Sequence, residues 1–332
     1  MKSVTITDVA KHAKVSKSTV SQYLNKRFDY MGEKTKERIE LAIKELGYQP
    51  NIVARSLKQK STSTIGVIVA NILHAFSTQV IRAIEDYCHE SDFHIIVCNA
   101  DDNPEKEKKY IEMLLAKQVD GLIVFPTGDN VELYEKMVKD QFPIVFVDRT
   151  VDNVNVPAIV LDNEKASSLA VTHLAEKGYE RIGIITSSIK RSISARLGRI
   201  NGFRNSMNEQ NLPINEDYIK SAEINEIQSI LEKMLSLHVP PQAILAGNDR
   251  VLMEILKYAK ANSIKIPNDL AIIGIDDVSF ASIYSPALTV ISQPAFEMGK
   301  QAATLILSSI QKKEVETLVY KFEPTLINRE SC

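Results

Sequence analysis

The chain has 332 residues, 44% hydrophobic and 25% charged, with 12 Gly and 12 Pro, a globular profile long enough for two or three domains with buried cores. No run approaches the roughly 20 apolar residues that span a bilayer, and Met1-Lys2-Ser3-Val4-Thr5 turns polar too soon for a secretory signal. Cys88, Cys98 and Cys332 are odd in number and far apart, which argues against a disulfide framework or a Cys-rich metal site. Membrane, fibrous and disordered classes are set aside, and a cytoplasmic protein with no membrane partner is expected.

Charge is unevenly spread. Residues 1–60 hold 13 Lys/Arg against 6 Asp/Glu, a net of +7, while the rest hold 27 against 36, a net of −9. A basic head on an acidic body suits a small domain that meets a polyanion. Chance clustering on a solvated surface is the plain alternative.

The head reads as three short helices. Thr5 is placed to cap the first, with Asp8 three residues on and Val4 and Val9 as a hydrophobic staple. After a break at Ala13-Lys14, Ser16 repeats the device with Val15 and Val20. A third helix is expected from Glu33 to Leu46, with Ile39, Ala42, Ile43 and Leu46 on one face, and Gly47 stops it. Next, Asn51 could cap a short helix, Ile52 to Lys60, which is too short to be stable alone in water. The run Ser61-Thr62-Ser63-Thr64 is linker-like.

From Ile65 the pattern alternates. Apolar strand-like runs fall at Ile65–Ala70, His94–Cys98, Gly121–Phe125, Ile144–Val147, Ile159–Leu161, Ile182–Thr186, Ala243–Ala246, Ala271–Ile275 and Thr289–Ser292. Amphipathic stretches between them include Ile81–Glu90, Glu105–Lys117, Lys165–Lys177, Ile227–Leu237 and Val251–Ala261. Such alternation implies parallel sheets covered on both faces. The units outnumber what one open sheet usually holds, which favours two doubly wound halves; a single eight-fold barrel is the competing architecture.

Residues Thr5 to Asn25 form a helix-turn-helix pattern. Val9, Ala10, Val15, Val20 and Leu24 fix the angle between the helices, and the second helix presents Lys17, Ser18 and Gln22 outward. Lys can donate to guanine O6/N7, and Gln can pair with adenine. A helical hairpin in an unrelated bundle would share only part of this pattern.

Thr5–Asn25, followed by Pro50-Asn51-Ile52-Val53-Ala54-Arg55-Ser56-Leu57, resembles the head and hinge of the lac-repressor (LacI/GalR-type) transcription factors. The resemblance covers the whole chain. It implies a small all-α helix-turn-helix head plus an α/β body of two doubly wound parallel-sheet lobes, periplasmic-binding-protein-like. The head with its hinge helix (about 51–60) would occupy 1–60, and an effector-binding and dimerisation domain 61–332. One lobe would take about 65–161 plus 293–323, the other about 162–292 plus the C-terminal end. The partners implied are double-stranded operator DNA, a small sugar or sugar-acid effector and a second copy in a homodimer; no cofactor is implied. The chain also resembles regulators of 2-keto-3-deoxygluconate utilisation.

The DNA-contacting residues implied are Thr5, Ser16, Lys17, Ser18, Thr19, Ser21, Gln22 and Asn25 in the head, with Asn51, Ala54 and Leu57 in the hinge. Leu57 would be the wedge that kinks the minor groove. Lys2, Lys11, Lys14, Lys26, Arg27 and Lys36 are candidates for phosphate contacts. Lys14 stands where the family's turn usually has glycine, which implies a positive φ. Gln22 replaces a common arginine, the loop 26–31 is one residue longer than in the lac repressor, and Gly32 replaces a common serine cap.

In the body, the resemblance assigns the effector Arg196, Asn248 (rather than Asp249), Asp276 and Gln293, with Asn71, His74, Phe76, Ser77 and Arg149 on the first lobe's side. Each has a structural alternative: a surface ion pair for Arg196, a helix cap for Asp276 or Asp277, core for Phe76. Lys190, Arg191 and Arg196 place three cations near the expected cleft, so a sugar acid or sugar phosphate is attractive; a solvated loop is the alternative.

Catalytic patterns are lacking. No G-x-x-x-x-G-K-[ST], G-x-G-x-x-G or G-x-S-x-G occurs. His89 and His94 beside Cys88 and Cys98 match metal-ligand spacing only loosely. The function expected is a DNA-binding transcriptional regulator, a repressor of a carbohydrate-utilisation operon tuned by a small ligand. A cytosolic sugar-converting enzyme, or a solute-binding protein with an incidental basic N-terminus, is the alternative.

Overall fold

The computed structural model describes residues 4–29, 31–49, 61–191 and 193–332. The expected hinge helix, with Asn51, Ala54 and Leu57, lies outside the described residues, as does Lys2. The chain divides into two compact units, 1–62 and 63–332.

In the first unit, α1 (Ile6–His12), α2 (Lys17–Leu24) and α3 (Glu33–Leu46) surround fully buried Val9, Val20 and Ile39. The Thr5 N–H and hydroxyl both donate to the Asp8 carboxylate, at 2.9 and 2.7 Å, while Ser16 Oγ accepts the Thr19 N–H at 3.1 Å. These side chains satisfy N–H groups and an entry turn that no helical carbonyl can reach. Lys14 adopts φ +52, and the Val15 N–H closes back on the Ala10 carbonyl at 3.0 Å. Gly47 (φ +60) ends α3 in the same manner, with the Tyr48 N–H on the Ile43 carbonyl.

The second unit holds two six-stranded sheets. The first lobe is built on β1 (Thr64–Val69), β2 (His94–Asn99), β3 (Gly121–Val124), β4 (Ile144–Val147), β5 (Ala158–Leu161) and β11 (Val319–Phe322), in the order β11-β5-β4-β3-β1-β2. The second uses β6 (Ile182–Ser187), β7 (Ile219–Ala222), β8 (Ala243–Ala246), β9 (Ala271–Ile275), β10 (Thr289–Ser292) and β12 (Thr325–Ile327), in the order β12-β10-β9-β8-β6-β7. Every pairing is parallel except β10 with β12. The chain therefore crosses between lobes after β5, after β10 and after β11.

Helices cover both faces of each sheet: α4 (Ala75–Glu90), α5 (Pro104–Ala116), α6 (Val131–Lys139) and α11 (Ala295–Ile310) in the first lobe. In the second lobe they are α7 (Asn163–Glu176), α8 (Ser194–Glu209), α9 (Ile227–Leu235) and α10 (Asp249–Ala261). Along β1, Ile65, Val67 and Val69 join one apolar cluster with α4 and α11, whereas Ile68 joins the opposite one with Leu114, Tyr134 and Phe146. That alternation is what a strand buried on both sides requires. Between α7 and α8, a Cβ on Gly202 would lie 2.3 Å from the Glu164 carbonyl oxygen, so only glycine permits this approach.

Three strands were not expected from the sequence: β7, β11 and β12. Each lies at the edge of a sheet and keeps only part of its surface buried, so each lacks the continuous apolar run of a central strand. Helix α4 begins at Ala75, ahead of the expected Ile81, because Phe76, Ser77 and Val80 extend its buried face. No helix among the described residues is long and apolar enough to cross a membrane.

Candidate functional site

In the first unit, Lys17, Ser18 and Gln22 are exposed on α2, and their side chains make no hydrogen bond among the described residues. The other expected contacts have structural roles as well. Thr5, Ser16 and Thr19 take part in the caps, Ser16 Oγ lying 2.8 Å from Thr19 Oγ1. Asn25 donates its amide to the Ser21 carbonyl at 2.7 Å. Lys36 pairs with Glu33 at 3.1 Å and lies over the Phe28 ring, which lessens its availability to a phosphate. An exposed helix with free donors, held at a fixed angle by a second capped helix, fits a DNA major groove.

In the second unit a cleft opens between the lobes at the C-terminal ends of the strands, where doubly wound sheets hold ligands. It encloses about 480 Å³, mouth included, and all nine positions assigned from the sequence line it. Asn71, His74, Phe76 and Ser77 come from the segment after β1, and Arg149 from the end of β4. Arg196 lies in α8, and Asn248, Asp276 and Gln293 follow β8, β9 and β10.

The cleft has its own internal bonding. Asn248 caps α10, accepting the Val251 N–H at 2.9 Å and donating to Ser187 Oγ at 2.8 Å. Asp276 accepts the Asp249 N–H at 3.2 Å and the Gln293 amide at 2.5 Å. It thus caps α10 from a different strand, so the cap alternative and the cleft position hold together. Gln293 Oε1 is buried with no partner among the described residues. Phe76 packs edge-on to Phe125 in the core while also lining the cleft.

Arg149 is buried and donates to Asp102 Oδ1 (2.9 Å), Asp148 Oδ2 (3.0 Å) and the Pro126 carbonyl (3.1 Å). Arg196, from the other lobe, donates to the Ser188 carbonyl at 2.6 Å and to Asp102 Oδ2 at 3.3 Å. Its ion-pair partner is therefore a half-buried carboxylate of the facing lobe. Lys190 and Arg191 do not line the cleft: Lys190 is exposed, and Arg191 reaches the Asp102 carbonyl with Asp129 at 3.7 Å. The expected trio of cations is thus one cleft arginine beside a rim contact and a solvated lysine.

Sequence reasoning missed Asp102 and Arg199. Arg199 is buried and lines the cleft, donating to Asn163 Oδ1 at 2.8 Å and the Gly247 carbonyl at 2.5 Å. Its i+3 spacing from Arg196 would have revealed it once that segment was read as a helix. No local signal marks Asp102.

Electrostatics follow from these contacts. Burial pushes the Arg196 guanidinium down to about 10, and the Arg149 charge adds to this. Burial would raise Asp102, but Arg149 and Arg196 hold it below the usual carboxylate range. Asp276 is raised by burial and by the neighbouring Asp249 charge. Among the described residues no group of His, Cys, Asp and Glu could hold a metal ion; Cys88 and Cys98 are buried thiols, on α4 and β2.

A helix-turn-helix unit joined to a two-lobed, ligand-type cleft defines a metabolite-responsive DNA-binding regulator. Residues 5–51 match the model of bacterial regulatory proteins of the lacI family, and 62–329 match that of periplasmic binding proteins and the sugar-binding domain of the LacI family. The chain is 49% identical over 332 residues to a probable HTH-type transcriptional regulator, EndR, of Paenibacillus polymyxa, covering 98% of each. It is 34% identical to a ribose operon repressor of Halalkalibacterium halodurans, covering 98% of this chain and 96% of that one. The crystal structure of a lac repressor dimer bound to operator and the anti-inducer ONPF superposes with a TM-score of 0.85 at 25% identity, covering 99% of each chain.

The chain belongs to the LacI family. It is a DNA-binding transcriptional regulator with that family's sugar-binding domain.

Proposed function

We propose that this protein represses a carbohydrate-utilisation operon in the bacterial cytoplasm, as a homodimer on a near-palindromic operator, under control of a sugar acid bound between its lobes. The head would read base edges with Lys17, Ser18 and Gln22, and in the hinge, where Asn51 and Ala54 are further candidates for DNA contact, Leu57 would be the wedge that enters the minor groove. Pairing two heads on a two-fold site requires two copies of the chain.

The observation that carries the effector reading is the pair of cleft arginines from opposite lobes. With the bonds described, Arg149 keeps Nη2 and Arg196 keeps Nε unused among the described residues. One ligand carboxylate bridging these donors would tie the lobes together through charge-assisted hydrogen bonds. Gln293 Oε1 supplies an acceptor for a hydroxyl, and the Phe76 ring an apolar face. Ligand-driven closure would alter the spacing of the heads, with a coupling of roughly 1–3 kcal/mol.

A thermal-shift screen of neutral sugars, sugar acids and sugar phosphates tests this, with 2-keto-3-deoxygluconate as the first acid and hits retested on operator binding. Calorimetry should then show an acid binding more tightly than its neutral counterpart. Tighter binding of the neutral sugars would reject the sugar-acid effector.

A further inference from the structure

Asp102 holds an unusual position for a carboxylate beside a cleft lined by arginines. It follows β2 in the left-handed region (φ +52), with its N–H fixed on the Ala70 carbonyl at 2.6 Å. One oxygen accepts from Arg149 of its own lobe and the other from Arg196 of the facing lobe, while its carbonyl accepts from Arg191. Arg149 and Arg196 line the cleft, and Asp102 backs them.

The charges near the cleft nearly cancel. Arg149, Arg196 and Arg199 face it; Asp102 pairs with Arg149 and Arg196, Asp148 pairs with Arg149, and Asp276 lines the cleft beside His74, which holds Asp249. Removing the charge of Asp102 would leave Arg149 and Arg196 facing the cleft with one more unit of net positive charge. At the effective dielectric of a partly buried site, one charge about 4 Å away is worth several kcal/mol before screening, so the count matters.

We propose that Asp102 is the charge filter of this cleft: by neutralising one of the two bridged guanidiniums, it admits a ligand with a single carboxylate and rejects a phosphate dianion. The residue is a positioning and specificity determinant that need not touch the ligand itself. This deepens the sugar-acid reading, choosing sugar acids over sugar phosphates.

The test uses the full chain and inorganic phosphate as the probe, with acetate as its singly charged counterpart. Asp102→Asn removes the charge and keeps one acceptor oxygen, for one of the two arginines, its NH2 taking the place of the other acceptor. It is expected to bind phosphate at least about tenfold more tightly than the natural protein, with a smaller change for acetate. The gain should vanish in Asp102→Asn/Arg196→Ala, which localises it to the cleft. Asp102→Glu should keep phosphate excluded, and Asp102→Ser, smaller and also uncharged, serves if the Asn variant does not melt cooperatively. Equal phosphate affinity in the natural and uncharged variants would overturn the filter. A natural protein that prefers neutral sugars while Asp102→Asn still gains phosphate affinity would sink the sugar-acid effector and leave the filter standing.

Discussion

His74 and Asp249 join the two lobes: His74 Nδ1 lies 2.5 Å from one Asp249 oxygen, and the other oxygen accepts the Ala75 N–H at 2.7 Å. A carboxylate at the start of α10 thus caps the start of α4 in the opposite lobe, where the helix dipole favours negative charge. Asp249→Ala leaves a half-buried N–H and an imidazole nitrogen without their acceptor, at a cost of about 1–2 kcal/mol. We expect a lower melting temperature for the body and roughly tenfold weaker effector binding, since the lobes lose a tie that a ligand-bound arrangement would share. Calorimetry and thermal melts measure both, and unchanged ligand affinity would show that the contact does not contribute to closure.

The two buried carboxyls Asp249 and Asp276 should respond oppositely to pH. Burial would raise Asp249, but the His74 bond and the Ala75 and Arg250 N–H groups hold it below its ordinary value. Its contribution is therefore present above about pH 4 and lost as pH falls through the lowered value. Asp276 is raised, chiefly by burial, so its contribution is full below about pH 4 and lost as pH climbs through the raised value. Asp276→Asn, permanently neutral, should flatten the loss on the rising side in melts taken across this range. It should also weaken the response of operator binding to effector.

Lys14 holds φ +52 in the turn between α1 and α2, a conformation that costs a residue with a Cβ about 1–2 kcal/mol. Lys14→Gly should stabilise the head by up to about 1 kcal/mol after glycine's extra chain entropy is subtracted. It also removes one candidate phosphate contact, so the salt slope of operator binding should shrink by about 0.9. Melting of the head and a salt titration separate the two effects.

Lys17→Ala and Gln22→Ala remove exposed α2 donors that hold no structural bond, so each should leave stability nearly unchanged. Specific operator affinity should fall by about 1–3 kcal/mol, with far less change on random DNA. Competition gel shifts provide the measurement. Equal losses on both kinds of DNA would make these residues phosphate contacts instead.

Much of this molecule was legible in one dimension. The caps at Thr5 and Ser16, the helix Glu33–Leu46 and the central strands Ile144–Val147, Ala243–Ala246, Ala271–Ile275 and Thr289–Ser292 are set by local signals: a capping side chain, a helical stripe, a β-rich apolar run. The edge strands β7, β11 and β12 carried no such run, because each is buried only in part.

The cleft divides along the same line. Asn71, His74, Phe76, Ser77 and Arg149 could be read from where strands end, since chain order in a doubly wound sheet fixes which loops share an edge, whereas Arg196, Asn248, Asp276 and Gln293 came through the resemblance to the family's motifs. Partnership among those residues could not be read. Asp102 meets Arg196 across 94 positions of sequence, and His74 meets Asp249 across 175. Such pairs depend on how two separately folded lobes face each other. The sequence by itself determined a helix-turn-helix head and a body of alternating strands and helices, both products of short-range periodicity, while the cleft positions came in part through the family's motifs. Only the tertiary structure decided which charges neutralise one another there, because a Coulomb interaction depends on distance in space and on burial, and neither is encoded locally.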